Sequence, residues 1–384
     1  MIRLALRMLL GDTSKLFGIV MGVTLASLVI TQQGSIFVGI MSRTYAVISD
    51  MGAPDIWVMD PKVQYIDDVK PLQDTELFRV RGVEGVAWAA PLYKGLTRAR
   101  LEDGTFQNCV ILGLEDSTLT GGPPRMLEGT ISDLRRADAV IVDQIGATTR
   151  FARRGADGRA TPLRVGDEME LNDRRAVVVG ISENTRSFQS QPLIYTTYSR
   201  ATAFVPKERK LLSFVLVTAG EGEDPAALCR RISMETGLAA YTREEFKGKT
   251  VRYFLENTGI PINFGIAVGL GFFVGTVITG FMFFNFTMDN LRYFGTLKAM
   301  GTPGGRLLSM VVVQAVWVAL VGYGMGVGLA ALMGHMAKRS PLAFQMPWQL
   351  LVVSGLATLI ISLTAAVVSM HKVLSLEPAA VFKG

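Results

Sequence analysis

Four stretches of this chain contain no Asp, Glu, Lys or Arg: Leu16–Ser42, Asn257–Met288, Leu307–Ala337 and Ser340–His371. A helix needs about 20 apolar residues to cross the hydrocarbon core of a bilayer, where every backbone amide and carbonyl must be satisfied within the segment. Each stretch exceeds that length, and the next longest uncharged run, Ser187–Ser199, falls short of it. One stretch lies near the start and three crowd the last third, with a long charged segment between. The pattern predicts one membrane helix, a large water-soluble insertion, then three more membrane helices.

Composition matters once it is divided between these parts. Of the 39 Lys and Arg, 29 lie in 43–258, and so do 30 of the 33 Asp and Glu. The insertion is therefore close to neutral, and the net charge of +6 resides in the membrane part. Basic residues there signal topology, and no nucleic-acid partner is expected.

Cytoplasmic segments carry excess Lys and Arg. Arg3, Arg7 and Lys15 precede the first stretch, Arg292, Lys298 and Arg306 lie between the second and third, and Lys372 and Lys383 follow the fourth. Alternation places all eight on one side, against Lys338 and Arg339 on the other. The expected fold is an α-helical membrane protein with four transmembrane helices plus a large extracytoplasmic α+β domain inserted between helices 1 and 2. Its segments are a cytoplasmic amphipathic start (1–15), the first span (16–42), the extracytoplasmic domain (43–258) and the second span (259–288). A cytoplasmic segment (289–306), the third span (307–335), a short outer loop (336–347), the fourth span (348–371) and a cytoplasmic tail (372–384) complete the chain. No A-x-A-like cleavage site follows the first stretch, so it is read as a retained anchor. Ile2–Leu10, with Arg3 and Arg7 four apart among apolar residues, fits a helix lying along the inner surface.

Within 43–258, short β-branched runs bounded by turn residues predict strands: Asp55–Met59, Asn108–Gly113, Ala139–Val142, Ala176–Ile181 and Phe214–Val217. Asp224–Thr236 opens on Asp224-Pro225 and predicts a helix, as does Pro71–Arg81. Two lobes are expected, one from 43–100 and 205–258, the other from the middle. Arg150–Arg164 predicts a mobile solvated loop, and Ser182–Tyr198 a contact surface or an ordinary loop.

Reactive chemistry is hard to find in this chain. His335 and His371, the sole histidines, stand far apart near helix ends, which leaves no zinc cluster and no His-activated nucleophile. Gly248-Lys249-Thr250 resembles the end of a phosphate-binding loop, but Arg243 stands where that pattern needs glycine. Asp167, Glu168 and Glu170 read as a solvated turn before a metal site. Cys109 and Cys229 allow a disulfide in an exported domain, but two buried thiols are the simpler reading. No catalytic, cofactor-binding or metal-binding residue is expected.

Glycines in the later stretches recur at the small-xxx-small spacing that lets helices approach closely in lipid: Gly265 and Gly269, Gly271 and Gly275, Gly322 and Gly326, Gly324 and Gly328. Thr24, Ser27, Thr31, Gln32 and Gln33 place polar groups in the first span, suited to interhelical bonds or the headgroup level.

The segment Asp289–Gly301 places Leu291, Phe294, Leu297 and Met300 at helical spacing, with Arg292 and Lys298 between them and Gly301 as a stop. A short amphipathic helix here would lie against the membrane and offer a surface to a cytoplasmic protein. The segment resembles the R-x-x-G-x-L-[KR]-A-[LIM]-G pattern of ABC transporter permeases of the MacB/FtsX type (type VII), matched by Arg292, Gly295, Leu297, Lys298, Ala299, Met300 and Gly301. The layout of one helix, an extracytoplasmic domain and three helices is also similar, and Glu377-Pro378-Ala379-Ala380-Val381 resembles the family's tail. Asn257–Gly265 looks most like the DevC branch.

The resemblance implies a non-catalytic permease subunit in a bacterial inner membrane, with ATP and Mg bound by a separate ATPase present in two copies. It implies an ATPase-docking coupling helix formed by Asn290, Leu291, Arg292, Tyr293, Phe294, Gly295, Leu297, Lys298, Met300 and Gly301. A homodimer is implied, with Gly265, Gly269, Gly271, Gly275, Gly322, Gly326 and Gly328 as packing residues, and so is a periplasmic membrane-fusion protein with an outer-membrane duct. Tyr293 departs from the Glu that many members carry there, which removes one expected salt bridge to the ATPase. Extraction of lipids or lipoproteins, and signalling to a cell-wall hydrolase, are the alternative activities of this scaffold.

Overall fold

A computed structural model describes residues 2–52, 54–154, 160–205, 212–337 and 340–374. The chain divides into two compact units, Met1–Ile40 with Gly259–Gly384, and Met41–Thr258. Helix α1 (Ile2–Gly11) opens the first unit and is followed by α2 (Thr13–Thr44). They are separated at Asp12, whose side chain accepts from the Lys15 amide at 3.2 Å and whose carbonyl accepts from the Leu16 amide at 2.9 Å. An aspartate in this place satisfies an orphan amide of the new helix and fixes where it starts.

The inserted unit contains α3 (Ala46–Asp50), β1 (Ile56–Met59), α4 (Asp74–Arg81), β2 (Val86–Arg100), β3 (Phe106–Leu114), β4 (Arg125–Glu128) and β5 (Ala139–Asp143). Then follow α5 (Gln144–Thr148), β6 (Arg153–Arg154), β7 (Ala160–Thr161), β8 (Glu168–Leu171), β9 (Arg174–Glu183), β10 (Leu193–Thr197) and α6 (Tyr198–Phe204). The unit closes with β11 (Phe214–Ala219), α7 (Pro225–Thr236), β12 (Ala239–Thr242) and α8 (Arg243–Asn257). The main sheet runs β12-β1-β11-β2-β3-β10-β5-β9-β4, with β8 against β2 and β9.

Helix α7 shows how local sequence sets an element. Asp224 accepts from the amides of Ala226 and Ala227, Pro225 supplies the preset first turn, and Gly237 ends the helix at φ 73°. Its inner face, Leu228, Cys229 and Ile232, packs with Leu77 and Val80 of α4 against Ile56, Val58, Val215 and Val217 of the sheet.

The lobes join inside a strand rather than between strands. Val86–Leu92 of β2 pairs with β11, and Tyr93–Arg100 pairs with β3. A division at residue 100 therefore gives way to one at Leu92/Tyr93. The 182–198 run also departs from expectation, because its last part is the buried central strand β10, parallel to β3 and antiparallel to β5. Thr196 is tolerated in that interior because its hydroxyl donates to the Ala139 carbonyl at 2.9 Å. In the Arg150–Arg164 stretch, β6 pairs with β7, and Arg153 bridges Glu102 and Asp167, each at 2.9 Å; residues 155–159 lie outside the described residues.

The first unit resumes with α9 (Ile260–Asp289), α10 (Leu291–Ala299), α11 (Gly304–Ala337) and α12 (Trp348–Leu374). Helices α2, α9, α11 and α12 are long and apolar enough to span a membrane. Lys338, Arg339, Lys383 and the Glu377–Val381 motif lie outside the described residues.

The glycine pairs separate into two kinds. A Cβ at Gly322 or Gly326 would meet Val23 at 2.7 Å or Ser27 at 2.6 Å, and one at Gly271 would meet Val29 at 2.8 Å; Gly275 abuts Ala26. These four seat α11 and α9 against α2. Gly265, Gly269, Gly324 and Gly328 have nothing within 4 Å, so they do not pack helices within this chain. The i, i+4 spacing is satisfied by both kinds, and only the rotation of each helix distinguishes them. Thr24, Ser27 and Thr31 are buried, and the Ser27 hydroxyl donates to the Tyr323 carbonyl at 3.4 Å.

Candidate functional site

Helix α10 is amphipathic in a particular sense. Phe294 is fully buried, Gly295 is buried, and Leu291 and Leu297 pack onto the bundle core that holds Leu9, Phe283, Phe286, Leu307 and Met370. Arg292, Tyr293, Thr296 and Met300 are exposed, and Lys298 is half-buried. The apolar stripe is thus the anchor of the helix, and the exposed residues are the surface it offers.

Met300 departs from the expected stripe. The Gly301 amide bonds the Lys298 carbonyl at 3.0 Å, the Thr302 amide bonds the Leu297 carbonyl at 3.1 Å, and Gly301 has φ 85°. This left-handed closure ends the helix at Ala299 and swings Met300 outward, leaving it 70% exposed. At the other end Asn290 donates from its side chain to the Phe286 carbonyl at 2.8 Å and accepts on its carbonyl from Tyr293 at 3.0 Å, which fixes the turn out of α9.

Helix α1 extends this surface. Its Ala5 and Leu9 are buried, and Gln314 of α11 donates to the Ala5 carbonyl at 2.7 Å. Lys15 bridges Asp12 at 2.7 Å and Asp289 at 2.5 Å, tying the start of α2 to the end of α9. An open depression is lined by Arg7, Met8, Lys15, Asp289, Asn290 and Tyr293. These groups can form ion pairs and hydrogen bonds with a surface laid against them.

The inserted unit holds its charges differently. Asp50 accepts from the Thr185 amide at 2.9 Å, the Thr185 hydroxyl at 2.8 Å and the Asn184 side chain at 3.3 Å. Asp143 accepts from the Gly146 amide at 2.9 Å and the Leu193 amide at 2.6 Å. Burial raises both carboxyls above their ordinary value, against the opposing pull of those donors. Together they clasp the two ends of the 184–192 loop. The Asp167, Glu168 and Glu170 cluster is engaged by arginines, Arg153, Arg175 and Arg100 in turn, and the described residues contain no group of three or more potential metal ligands. Cys109 and Cys229 are free, buried, and pushed up to about 12 chiefly by burial, so neither is a ready nucleophile.

A bundle of four spans, a large α+β insertion after the first, and a short capped helix between the second and third define the permease class of membrane subunit. Residues 16–234 match the MacB-like periplasmic core domain, and residues 265–378 match the FtsX-like permease C-terminal domain. The chain belongs to the ABC transporter permeases of the MacB/FtsX type. It is 25% identical over 316 residues to the uncharacterized ABC transporter permease Rv0072 of Mycobacterium tuberculosis, covering 82% of this chain and 80% of that one. To the uncharacterized ABC transporter permease Mb2592 of Mycobacterium bovis it is 22% identical over 314 residues, with the same coverage. The periplasmic region of MacB from Actinobacillus actinomycetemcomitans aligns at TM-score 0.37 and 14% identity, over 55% of this chain and 96% of that one. The extracellular domain of YknZ from Gram-positive bacteria aligns at TM-score 0.34 and 13% identity, over 49% and 98%. Neither structural likeness is close enough to bear on function.

Proposed function

We propose that this chain is the membrane subunit of an ATP-driven exporter in a bacterial inner membrane, with α10 as the helix that receives motion from a separate ATPase. The observation that carries this reading is the division of α10 into a buried anchor centred on Phe294 and an exposed face of Arg292, Tyr293, Thr296 and Met300. A helix so anchored moves with the bundle when its outer face is pushed. The excess of basic residues beside the spans supports a cytoplasmic side for α1, α10 and the tail and an outer side for the insertion. Two copies of the chain and two ATPase subunits, which bind ATP and Mg, complete the unit. A periplasmic membrane-fusion protein and an outer-membrane duct, the arrangement of the DevC branch, are the partners this reading assigns outside.

The test exchanges the two faces of α10. Tyr293→Ala and Met300→Ala leave the purified chain folded but reduce its stimulation of the cognate ATPase in nanodiscs by about tenfold, the scale of one lost anchor at an interface. Phe294→Ala destabilises the bundle by about 3–5 kcal/mol, as large-to-small core changes do. Undiminished stimulation in the Tyr293 and Met300 variants would overturn the docking role.

A further inference from the structure

A groove of about 390 Å³ opens on the inserted unit, walled by Tyr65, Val69, Pro71, Leu96 and Val110. That volume lies within the range of small-molecule sites, about 300–1,000 Å³. Leu96 stands in the middle of β2, paired there with Val110 of β3, and its side chain is 55% exposed. Lys94 also lines the groove, with its side chain only 5% exposed and its ammonium 2.5 Å from Asp67. An ammonium carries three hydrogens, and a carboxylate accepts at two oxygens, so this one contact leaves capacity on both partners.

A smaller crevice of about 40 Å³ shares Asp67, Lys94, Val110 and Gln189 with the groove, which makes the ion pair a partition between the two spaces. Within that crevice the side-chain oxygen of Gln191 is buried with no partner. Both loops beside the ion pair are also gripped by α8. Tyr65 stacks on Tyr253 with ring centroids 4.3 Å apart, and Phe188, next to Gln189, packs on Phe254 at 5.0 Å.

We propose that this groove binds an uncharged amphiphile bearing an amide. Its apolar body lies against Tyr65, Leu96 and Val110, its carbonyl accepts from Lys94, and its N–H donates to Asp67. The paired charges sum to zero, so a ligand with a net charge meets one attractive and one repulsive partner at short range. A donor and an acceptor held side by side match the two ends of an amide, and each resulting bond is charge-assisted. The proposal deepens the exporter reading by naming a cargo class, and it rests on that reading only for the link between α8 and transport.

The test uses the full chain in nanodiscs without any ATPase. The probe is N-decanoylglycinamide carrying a diazirine in its acyl chain, with attachment sites mapped by mass spectrometry. Labelling is expected on peptides containing Tyr65 and Leu96, suppressed by excess N-decanoylglycinamide and not by decanoate. Leu96→Arg, at an exposed position where folding is preserved, lowers labelling of these peptides by about tenfold or more. Lys94→Met weakens competition by about tenfold, the scale of one hydrogen bond to a charged group. Unchanged labelling in Leu96→Arg, labelling confined to the spans, or equal competition by decanoate would each overturn the proposal. Because binding is read without an ATPase, its failure leaves the α10 reading untouched, and loss of the α10 reading leaves the binding result standing.

Discussion

The two units bury polar groups by different rules. The inserted unit takes Asp50, Lys94 and Asp143 out of water, each with hydrogen-bond partners. The bundle buries no charged side chain among its described residues; its buried polar groups are hydroxyls and Gln314. The hydroxyls of Thr24, Thr31, Thr279 and Ser362 have no partner. A buried carboxylate without donors is severely penalised, whereas a hydroxyl can turn back to a carbonyl of its own helix. Buried charge therefore serves as a fastener in the insertion where a partner is supplied, the donors of the 184–193 loop for Asp50 and Asp143 and the Asp67 carboxylate for Lys94. The interior of the bundle is fastened by close approach at glycine instead, and its ion pairs at Lys15 stay partly exposed at the helix ends.

Three experiments would break or sharpen that contrast. The largest effect is expected at Gly326→Leu, whose side chain must displace Ser27 and the Leu28 backbone. Overpacking at or above about 3 kcal/mol is expected, seen as loss of the monodisperse species in detergent. Gly265→Leu is the control and leaves the chain's own bundle intact, since nothing lies within 4 Å of that position. If both variants behaved alike, glycine contact would not be what holds the spans.

Next in size is Asp143→Ala. It strands the amides of Leu193 and Gly146, at about 2 kcal/mol, and speeds hydrogen exchange across β10 while leaving α11 and α12 unchanged.

The smallest effect is a pH dependence. Asp143 has a folded-state value raised above the ordinary 3.8, so the folded state holds its proton more tightly than the unfolded chain does. The penalty of ionising it is absent below the unfolded value and grows as pH rises through the folded one. The stability of the native chain relative to Asp143→Asn is therefore expected to fall as pH is raised from about 4 to about 8. A constant difference across that range would show that the carboxyl is solvated like any other.

The spans were legible because lipid forbids charge, so their length is written directly as uncharged runs such as Leu307–Ala337. Helix α7 was legible because Asp224, Pro225 and Gly237 are local signals that need no tertiary context. Strand β2 was not legible, because Pro91, Lys94 and Gly95 interrupt any apolar run, and pairing first with β11 and then with β3 overrides their poor strand propensity. Strand β10 was hidden for a related reason: Tyr195 and Thr196 look polar until Asn184 and Ala139 satisfy them, and Thr197 until it meets the Ser199 hydroxyl. In α10 the stripe of Leu291, Phe294 and Leu297 could be read from spacing. The outward turn of Met300 depends on the backbone closure at Gly301, and spacing alone does not carry it.

Strand β2 has a mechanical consequence. Its first half belongs to one ladder and its second half to another, with no hinge residue between Leu92 and Tyr93. The two ladders are therefore in series through one unbroken stretch of backbone, so a load applied at β11 reaches β3 along β2 itself and not through a flexible linker.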